Sequence, residues 1–85
     1  MVYIIRCSDG SLYTGITNDL PRRFDDHRRG RGAKYFRGRE PLEVVHLEFF
    51  PDRASASRRE WAIKAMSRPQ KLELITGSIP SASPA

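Results

Sequence analysis

Apolar residues of this chain are concentrated in three short stretches, residues 2–6, 12–16 and 42–50, which are rich in β-branched and aromatic side chains. Such stretches are typical of β-strands. Between the first two, Asp9-Gly10 is a pair favoured in tight turns that join antiparallel strands. The pattern therefore predicts a β-hairpin and, later in the chain, a third strand that ends at Pro51.

Helices are predicted between and after these strands. Residues 17–19, Thr-Asn-Asp, supply capping side chains for a helix over residues 19–29. Gly30 and Gly32 are predicted to end this helix. Asp52 caps a second helix over residues 53–66, and Pro69 belongs to the start of a shorter third helix that Gly77 closes. The predicted order of elements is therefore β-β-α-β-α-α.

Three antiparallel strands with helices packed against them bury these apolar faces most simply. We therefore predict an α+β fold, a three-stranded antiparallel sheet flanked by helices. Residues 30–41 hold three glycines and many charges, which predicts a loop with one short turn. One domain is expected over residues 1–77, and the tail 78–85, built only from Ser, Ile, Pro and Ala, is predicted to be disordered.

Positive charge is concentrated in one part of the chain. Twelve of the 15 basic residues are arginine, and eight of the 15 lie between Arg22 and Arg39. Arginine presents a planar fork that fits phosphate oxygens, so such a patch favours a polyanion, of which nucleic acid is the usual case. A solvated surface that keeps a small protein soluble explains the charge equally well. Charge alone decides nothing.

The single cysteine, Cys7, excludes an internal disulfide, and two histidines beside it are too few to complete a structural zinc site. We interpret Cys7 as an inert strand residue and His46, which alternates with apolar residues, as structural. The apolar start of the chain is too short for a signal peptide or a membrane span. These features predict a cytoplasmic protein without a membrane partner.

Four polar side chains are hard to explain by folding alone. Tyr3 and Tyr13 lie on the two strands of the hairpin and are predicted to be close cross-strand neighbours. Arg23 and His27 are spaced i, i+4 on the first helix, so they share one face. Apolar residues of that helix lie on roughly the same side, which predicts that both side chains face the sheet.

Glu60, on the second helix, is the fifth such side chain. It lies at the border of an arc that is predicted to be buried and that consists of Trp61, Ala62 and Ala65. An ion pair with Lys64 at i, i+4 explains Glu60 as well. Each of the five has an ordinary structural explanation when taken singly: strand aromatics, a solvated arginine, a satisfied core histidine and a surface ion pair. Their joint occurrence is what indicates a site.

At these positions the chain resembles the GIY-YIG nuclease family. The first motif stands here as Met1-Val2-Tyr3 and keeps only the tyrosine, and the second stands as Tyr13-Thr14-Gly15 and keeps tyrosine and glycine. The family's helix arginine corresponds to Arg23, its following His-or-Tyr position to His27, and its metal-binding glutamate to Glu60.

The likeness covers about residues 2–75 and is greatest to compact members that consist of this domain and little else. Two departures stand beside it. The leading Gly-Ile of the first motif is Met-Val here, which leaves the phenol in place. An asparagine that follows the glutamate helix in many larger members is missing from residues 67–77.

The resemblance implies an endonuclease that hydrolyses phosphodiester bonds with one Mg²⁺ or Mn²⁺ ion held by Glu60. It implies that Arg23 stabilises charge on the phosphate and that His27 orients the phosphate or shuttles a proton. Tyr3 is expected to be the general base and Tyr13 its partner in positioning water, although these two roles are exchangeable. The expected substrate is DNA rather than RNA, at distorted or branched sites.

Further residues are predicted to contact the nucleic acid, because basic side chains interleaved with aromatic ones bind phosphates and stack on bases. They are Arg22, Lys34, Tyr35, Arg37 and Arg39. A charged loop around one buried aromatic side chain is the competing interpretation. At the level of function, the alternative is a catalytically weak nucleic-acid-binding module that retains the nuclease fold.

Overall fold

The protein folds as one antiparallel sheet with helices on both faces. A computed structural model describes residues 1–31 and 33–77. Its elements are β1 (Val2–Cys7), β2 (Leu12–Ile16), α1 (Leu20–Arg28), a 3₁₀ turn (Lys34–Phe36), β3 (Pro41–Glu48), α2 (Arg53–Lys64) and α3 (Arg68–Gly77). The strands lie in the order β2-β1-β3, and both pairings are antiparallel. The predicted α+β fold and the order of its elements are confirmed.

Local signals account for the turns and the helix starts. Gly10 adopts a φ of +83°, a left-handed conformation that favours glycine, and Asp9 accepts a hydrogen bond from the Ser11 amide at 3.0 Å. Asp19 caps α1 and Asp52 caps α2, each by accepting a hydrogen bond from a backbone amide three residues further on. These short-range contacts are the ones the sequence predicts.

Some predicted boundaries shift by one or two residues. The third strand covers Pro41–Glu48 instead of residues 42–50, and Phe49 beyond it is 74% exposed. The second helix ends at Lys64 instead of residue 66. The predicted disordered tail, residues 78–85, lies outside the described residues, and the division into one domain and a tail stays a prediction. None of the helices within the described ranges is long and apolar enough to cross a membrane.

The central strand β1 divides the interior into two clusters, because its side chains alternate between the faces of the sheet. Val2 and Ile4 pack with Ala56 and Ile63 of α2, and we call this side the aliphatic face. The opposite side, the aromatic face, is built on a buried cluster of Tyr3, Ile5, Cys7 and Phe36.

The predicted buried arc of α2 is wrong. Trp61 is 77% exposed, and Ala62 and Ala65 are also exposed. The helix instead buries Ala56 and Ile63, which are seven residues apart and therefore lie on one side of an α-helix. Glu60 is four residues after the first and three before the second, so it still lies at the border of the stripe that packs on the sheet.

Candidate active site

The two tyrosines of the hairpin lie side by side on the aromatic face. Tyr3 pairs with Gly15 and Tyr13 with Ile5, so the tyrosines are diagonal neighbours whose ring centroids are 6.2 Å apart. Their predicted proximity is confirmed. Tyr3 is fully buried, whereas Tyr13 is partly exposed.

Gly15 makes room for the Tyr3 phenol. A Cβ atom on this residue would lie 2.5 Å from the Tyr3 hydroxyl oxygen and 3.0 Å from a ring carbon of Tyr13. The first distance is far inside van der Waals contact, so any side chain at this position displaces the phenol. The glycine of the Tyr-Thr-Gly run is therefore needed for a physical reason: it leaves space for the Tyr3 side chain of the neighbouring strand.

Helix α1 brings His27 to the same place. Leu20 and Phe24 pack this helix against the aromatic face, and the Nε2 atom of His27 lies 2.8 Å from the Tyr3 hydroxyl oxygen, which is a hydrogen bond. The imidazole stacks on Phe36 with 4.2 Å between ring centroids. His27 is therefore a fully buried residue whose polar partner is a phenol.

Burial keeps both members of this pair uncharged. It raises the pKa of Tyr3 to about 12, with a smaller increase from Tyr13 and an opposing effect of the Arg23 guanidinium. It lowers the pKa of His27 to about 4, and the positive charge of Arg23 acts in the same direction. At neutral pH a protonated phenol therefore faces a neutral imidazole, because desolvation penalises the charged form of each group.

Arg23 and Glu60 approach the Tyr3 phenol from two different helices. The half-buried Arg23 lies one turn before His27 on α1, near enough to lower the pKa of Tyr3, while the Glu60 carboxylate on α2 contributes an increase. The side chain of Glu60 is 19% exposed and pairs with Lys64 at 3.2 Å. The predicted ion pair therefore exists, and the charge of Glu60 also affects the Tyr3 phenol.

The donor set at this point suits only a largely hydrated ion. Within residues 1–31 and 33–77, no group of three or more His, Cys, Asp or Glu residues is arranged to hold a metal. The charge of the Glu60 carboxylate contributes to raising the pKa of the Tyr3 phenol. Mg²⁺ commonly binds through one or two carboxylates and keeps several of its waters, and one partly exposed carboxylate fits that preference.

The loop residues that were predicted to contact nucleic acid differ in how far their side chains are exposed and engaged. The Arg39 guanidinium lies 4.2 Å above the Tyr35 ring and donates to Asp9 at 2.6 Å. Phe36 is buried, as the competing interpretation of a charged loop around one buried aromatic side chain predicts. Lys34 and Arg37 are exposed, and neither lies among the groups that contact the Tyr3–His27 pair.

A cleft beside Arg23 was not predicted from the sequence. It has a volume of about 570 Å³, and we call it the Phe50 cleft; its walls include Ile16, Asn18, Arg23, Phe50, Arg53 and Ala56. A shallower groove of about 310 Å³, which contains Arg22, shares Asn18 and Arg23 with it. Local patterns mark residues 50–53 only as a strand end and a helix cap, so nothing in them signals a cavity.

Comparison with known proteins assigns the family. The family model of the GIY-YIG catalytic domain matches residues 1–73. The chain belongs to the GIY-YIG family. This is a nuclease family, so the domain implies a nucleic acid substrate. The match includes all five positions at which the chain resembles the family's motifs.

Relatives from distant organisms share most of the chain. A UPF0213 protein of Clostridium perfringens is 52% identical over 75 residues, which cover 88% of this chain and 81% of that protein. A UPF0213 protein of Halobacterium salinarum is 53% identical over 70 residues, covering 82% and 91% respectively. The solution NMR structure of a UPF0213 protein from Bacillus halodurans superposes with a TM-score of 0.60 at 44% identity, covering 95% of this chain and 87% of that one.

Proposed function

We propose that this protein is a divalent-metal-dependent endonuclease that hydrolyses phosphodiester bonds of DNA, at distorted or branched sites. The observation that carries the proposal is the Tyr3–His27 hydrogen bond of 2.8 Å, with Arg23 and Glu60 both acting on the same phenol. Surface charge is sufficient for binding nucleic acid. A buried phenol–imidazole pair with a guanidinium and a carboxylate beside it adds the groups that hydrolysis needs.

Arg23 is the proposed stabiliser of the transition state. Hydrolysis places extra negative charge on the non-bridging phosphate oxygens, and a guanidinium already in position gains energy as that charge develops. Arg23 borders both the Phe50 cleft and the neighbouring groove, so a strand that follows these depressions passes over it. Arg22, exposed on the same groove, is proposed to hold a neighbouring phosphate.

Tyr3 is proposed as the proton acceptor for the attacking water, and Tyr13 as the group that positions this water. His27 contacts the Tyr3 hydroxyl at 2.8 Å, so its proposed role is to orient the phenol. A metal ion at Glu60 would supply positive charge that polarises the phosphate and favours the phenolate. In the proposed step Tyr3 first loses its own proton to solvent, and the phenolate then takes one proton from the attacking water. The oxygen of this water bonds to phosphorus, the bond from phosphorus to the leaving oxygen breaks, and the leaving oxygen takes up a proton from solvent.

The decisive experiment is a cleavage assay that compares Glu60→Ala with Lys64→Ala. Both substitutions remove the same surface ion pair, but only the first removes the proposed metal ligand. With Mg²⁺ or Mn²⁺ and a branched DNA substrate, Glu60→Ala is expected to lose about 100-fold or more in rate, the size typical of removing one transition-state contact. Lys64→Ala is expected to cleave like the wild type.

Two results would contradict the proposal. Equal cleavage by the wild type and Glu60→Ala would indicate a contaminating nuclease. Binding that weakens steeply with salt, without cleavage at any metal concentration, would instead support the catalytically weak binding module. Substituting RNA of the same sequence tests the preference for DNA.

A further inference from the structure

The Phe50 cleft has an apolar floor and a polar rim. Phe50 and Ile16 are partly buried and pack against the aliphatic cluster, and Ala56 of that cluster is buried beneath them. Asn18 and Arg53 on the rim are exposed. Apolar side chains bordered by polar groups suit a nucleobase, because a base has two apolar faces and a polar edge.

The size of the cleft agrees with such an occupant. Its volume of about 570 Å³ falls within the ~300–1,000 Å³ range of sites that bind small organic molecules. The shallower groove beyond Arg23 holds about 310 Å³. A strand that crosses Arg23 therefore meets two depressions. The Phe50 cleft is the larger of these two, and it is the one that apolar side chains line.

Two arginines, Arg23 and Arg53, line the cleft. Arg23 lies where the cleft meets the Tyr3–His27 pair, and Arg53 lies at the start of α2. Neither arginine forms an ion pair with a residue that the structure describes. The rim also holds the carboxylate of Asp52, which is engaged in capping α2 through the Ser55 amide at 2.7 Å.

From this arrangement we infer that the Phe50 cleft binds one unpaired nucleotide directly beside the scissile phosphate. Arg23 holds the scissile phosphate, the base enters the cleft against Phe50, and Arg53 holds the next phosphate. A base in an intact duplex is stacked and paired, and its removal costs a few kcal/mol, least where the base is already unpaired. The preferred substrate class is therefore nucleic acid with an unpaired nucleotide at the cut. The inference rests on the proposed function.

The test is equilibrium binding in EDTA, where no cleavage occurs, measured by fluorescence anisotropy. Two labelled DNA duplexes of one sequence are compared, one fully paired and one with a single-nucleotide bulge. The wild-type protein is expected to bind the bulged duplex about fivefold or more tightly, the lower end of what stacking one base on an aromatic ring contributes. Phe50→Leu and Arg53→Ala are expected to reduce this ratio toward one.

Arg58→Ala is the matched control, since Arg58 is exposed on the same helix but does not line the cleft. It is expected to keep the wild-type ratio. If Phe50→Leu fails to fold because Phe50 packs on the aliphatic cluster, the exposed Arg53→Ala and Asn18→Ala variants carry the test. Equal binding of both duplexes by the wild type, or an unchanged ratio in the cleft variants, overturns the inference.

Failure of the cleft and failure of the proposed function give different results. In one case the wild type prefers the bulged duplex, the cleft variants lose this preference, and no metal-dependent cleavage is seen. That result supports nucleotide binding in the Phe50 cleft and refutes the proposed nuclease activity. Cleavage that depends on Glu60, with equal binding of both duplexes, overturns the cleft and leaves the nuclease in place.

Discussion

His27 and His46 are both buried, on opposite faces of the same sheet, and their partners differ. His27 on the aromatic face shares a hydrogen bond with the Tyr3 hydroxyl. His46 pairs with Ile4 across β1 and β3, which places it on the aliphatic face, 2.6 Å from a carboxylate oxygen of Glu48. Within the described part of the chain, the Nδ1 atom of each ring is buried without a hydrogen-bond partner.

The partners of His46 form a closed ionic network. Arg59 donates two hydrogen bonds to Glu48, at 2.8 and 3.0 Å, and Arg59 is the main cause that lowers the pKa of this carboxyl. An ionised carboxylate only accepts hydrogen bonds, so the Nε2 atom of His46 donates. Each charge in this network is compensated where it lies, which is typical of a structural role.

The Tyr3–His27 pair differs from this network, because it contains no charge that needs a counter-ion. Both groups are neutral, and both pKa values are displaced mainly by burial. The charge of Arg23 acts on both groups, that of Glu60 on Tyr3 and that of Asp26 on His27. A change in local charge, such as the arrival of a phosphate or a cation, therefore acts on two groups that are themselves uncharged and have displaced pKa values. The comparison indicates why the Tyr3–His27 pair suits chemistry and the His46–Glu48–Arg59 network suits stability.

The largest expected effect comes from Tyr3→Phe, which removes one oxygen atom and keeps the ring. Loss of a general base lowers the cleavage rate by about 10²–10⁴-fold. It also leaves the buried Nε2 atom of His27 without its partner, which costs about 1–3 kcal/mol of stability. Tyr35→Phe is the control, since the Tyr35 ring is held by contacts that do not use its hydroxyl. Wild-type cleavage by Tyr3→Phe would refute the proposed role of the phenol.

A pH titration of stability tests whether His27 is buried in its neutral form. Its pKa in the folded state, about 4, is below the ordinary value of 6.5, so the unfolded chain takes up a proton first as the pH falls. The contribution of His27 to stability is complete above pH 6.5 and is lost between pH 6.5 and 4, by roughly 1–3 kcal/mol.

Urea unfolding across that pH range measures this loss. The control is His27→Gln, which keeps a polar side chain but does not titrate. The wild type should lose more stability than the variant on acidification. Parallel curves for the two proteins would show that the imidazole is not held in its neutral form.

The smallest expected effect is on stability. It compares the ionic network on the aliphatic face with an ion pair on the surface. Glu48→Ala leaves His46 and Arg59 without their acceptor, which is expected to cost about 1–2 kcal/mol without changing cleavage by the folded protein. Glu43→Ala is the matched control on the same strand. Its ion pair with Arg6 is about half exposed on both sides, so its loss should cost less than about 1 kcal/mol. Urea unfolding measures both; equal losses would contradict a structural role for the network.

Local chemistry was sufficient to predict the order of the elements, and the resemblance to the family supplied the candidate site residues. Asp9-Gly10, Asp19 and Asp52 act within three residues of themselves, so their effects are visible in a short window of sequence. The family positions Tyr3, Arg23 and Glu60 were likewise recognisable by their order along the chain. The structure brings these side chains to one place, although their catalytic roles remain proposals.

Whatever depends on contacts between distant segments was decided by the tertiary structure alone. Trp61 and Ile63 are two residues apart on one helix, and both are apolar, yet only packing against the sheet determines that Ile63 is buried and Trp61 exposed. The clearance at Gly15, the neutral state of His27 and the Phe50 cleft arise in the same way. Burial and desolvation belong to the assembled surroundings of a residue, and a local pattern does not contain those surroundings.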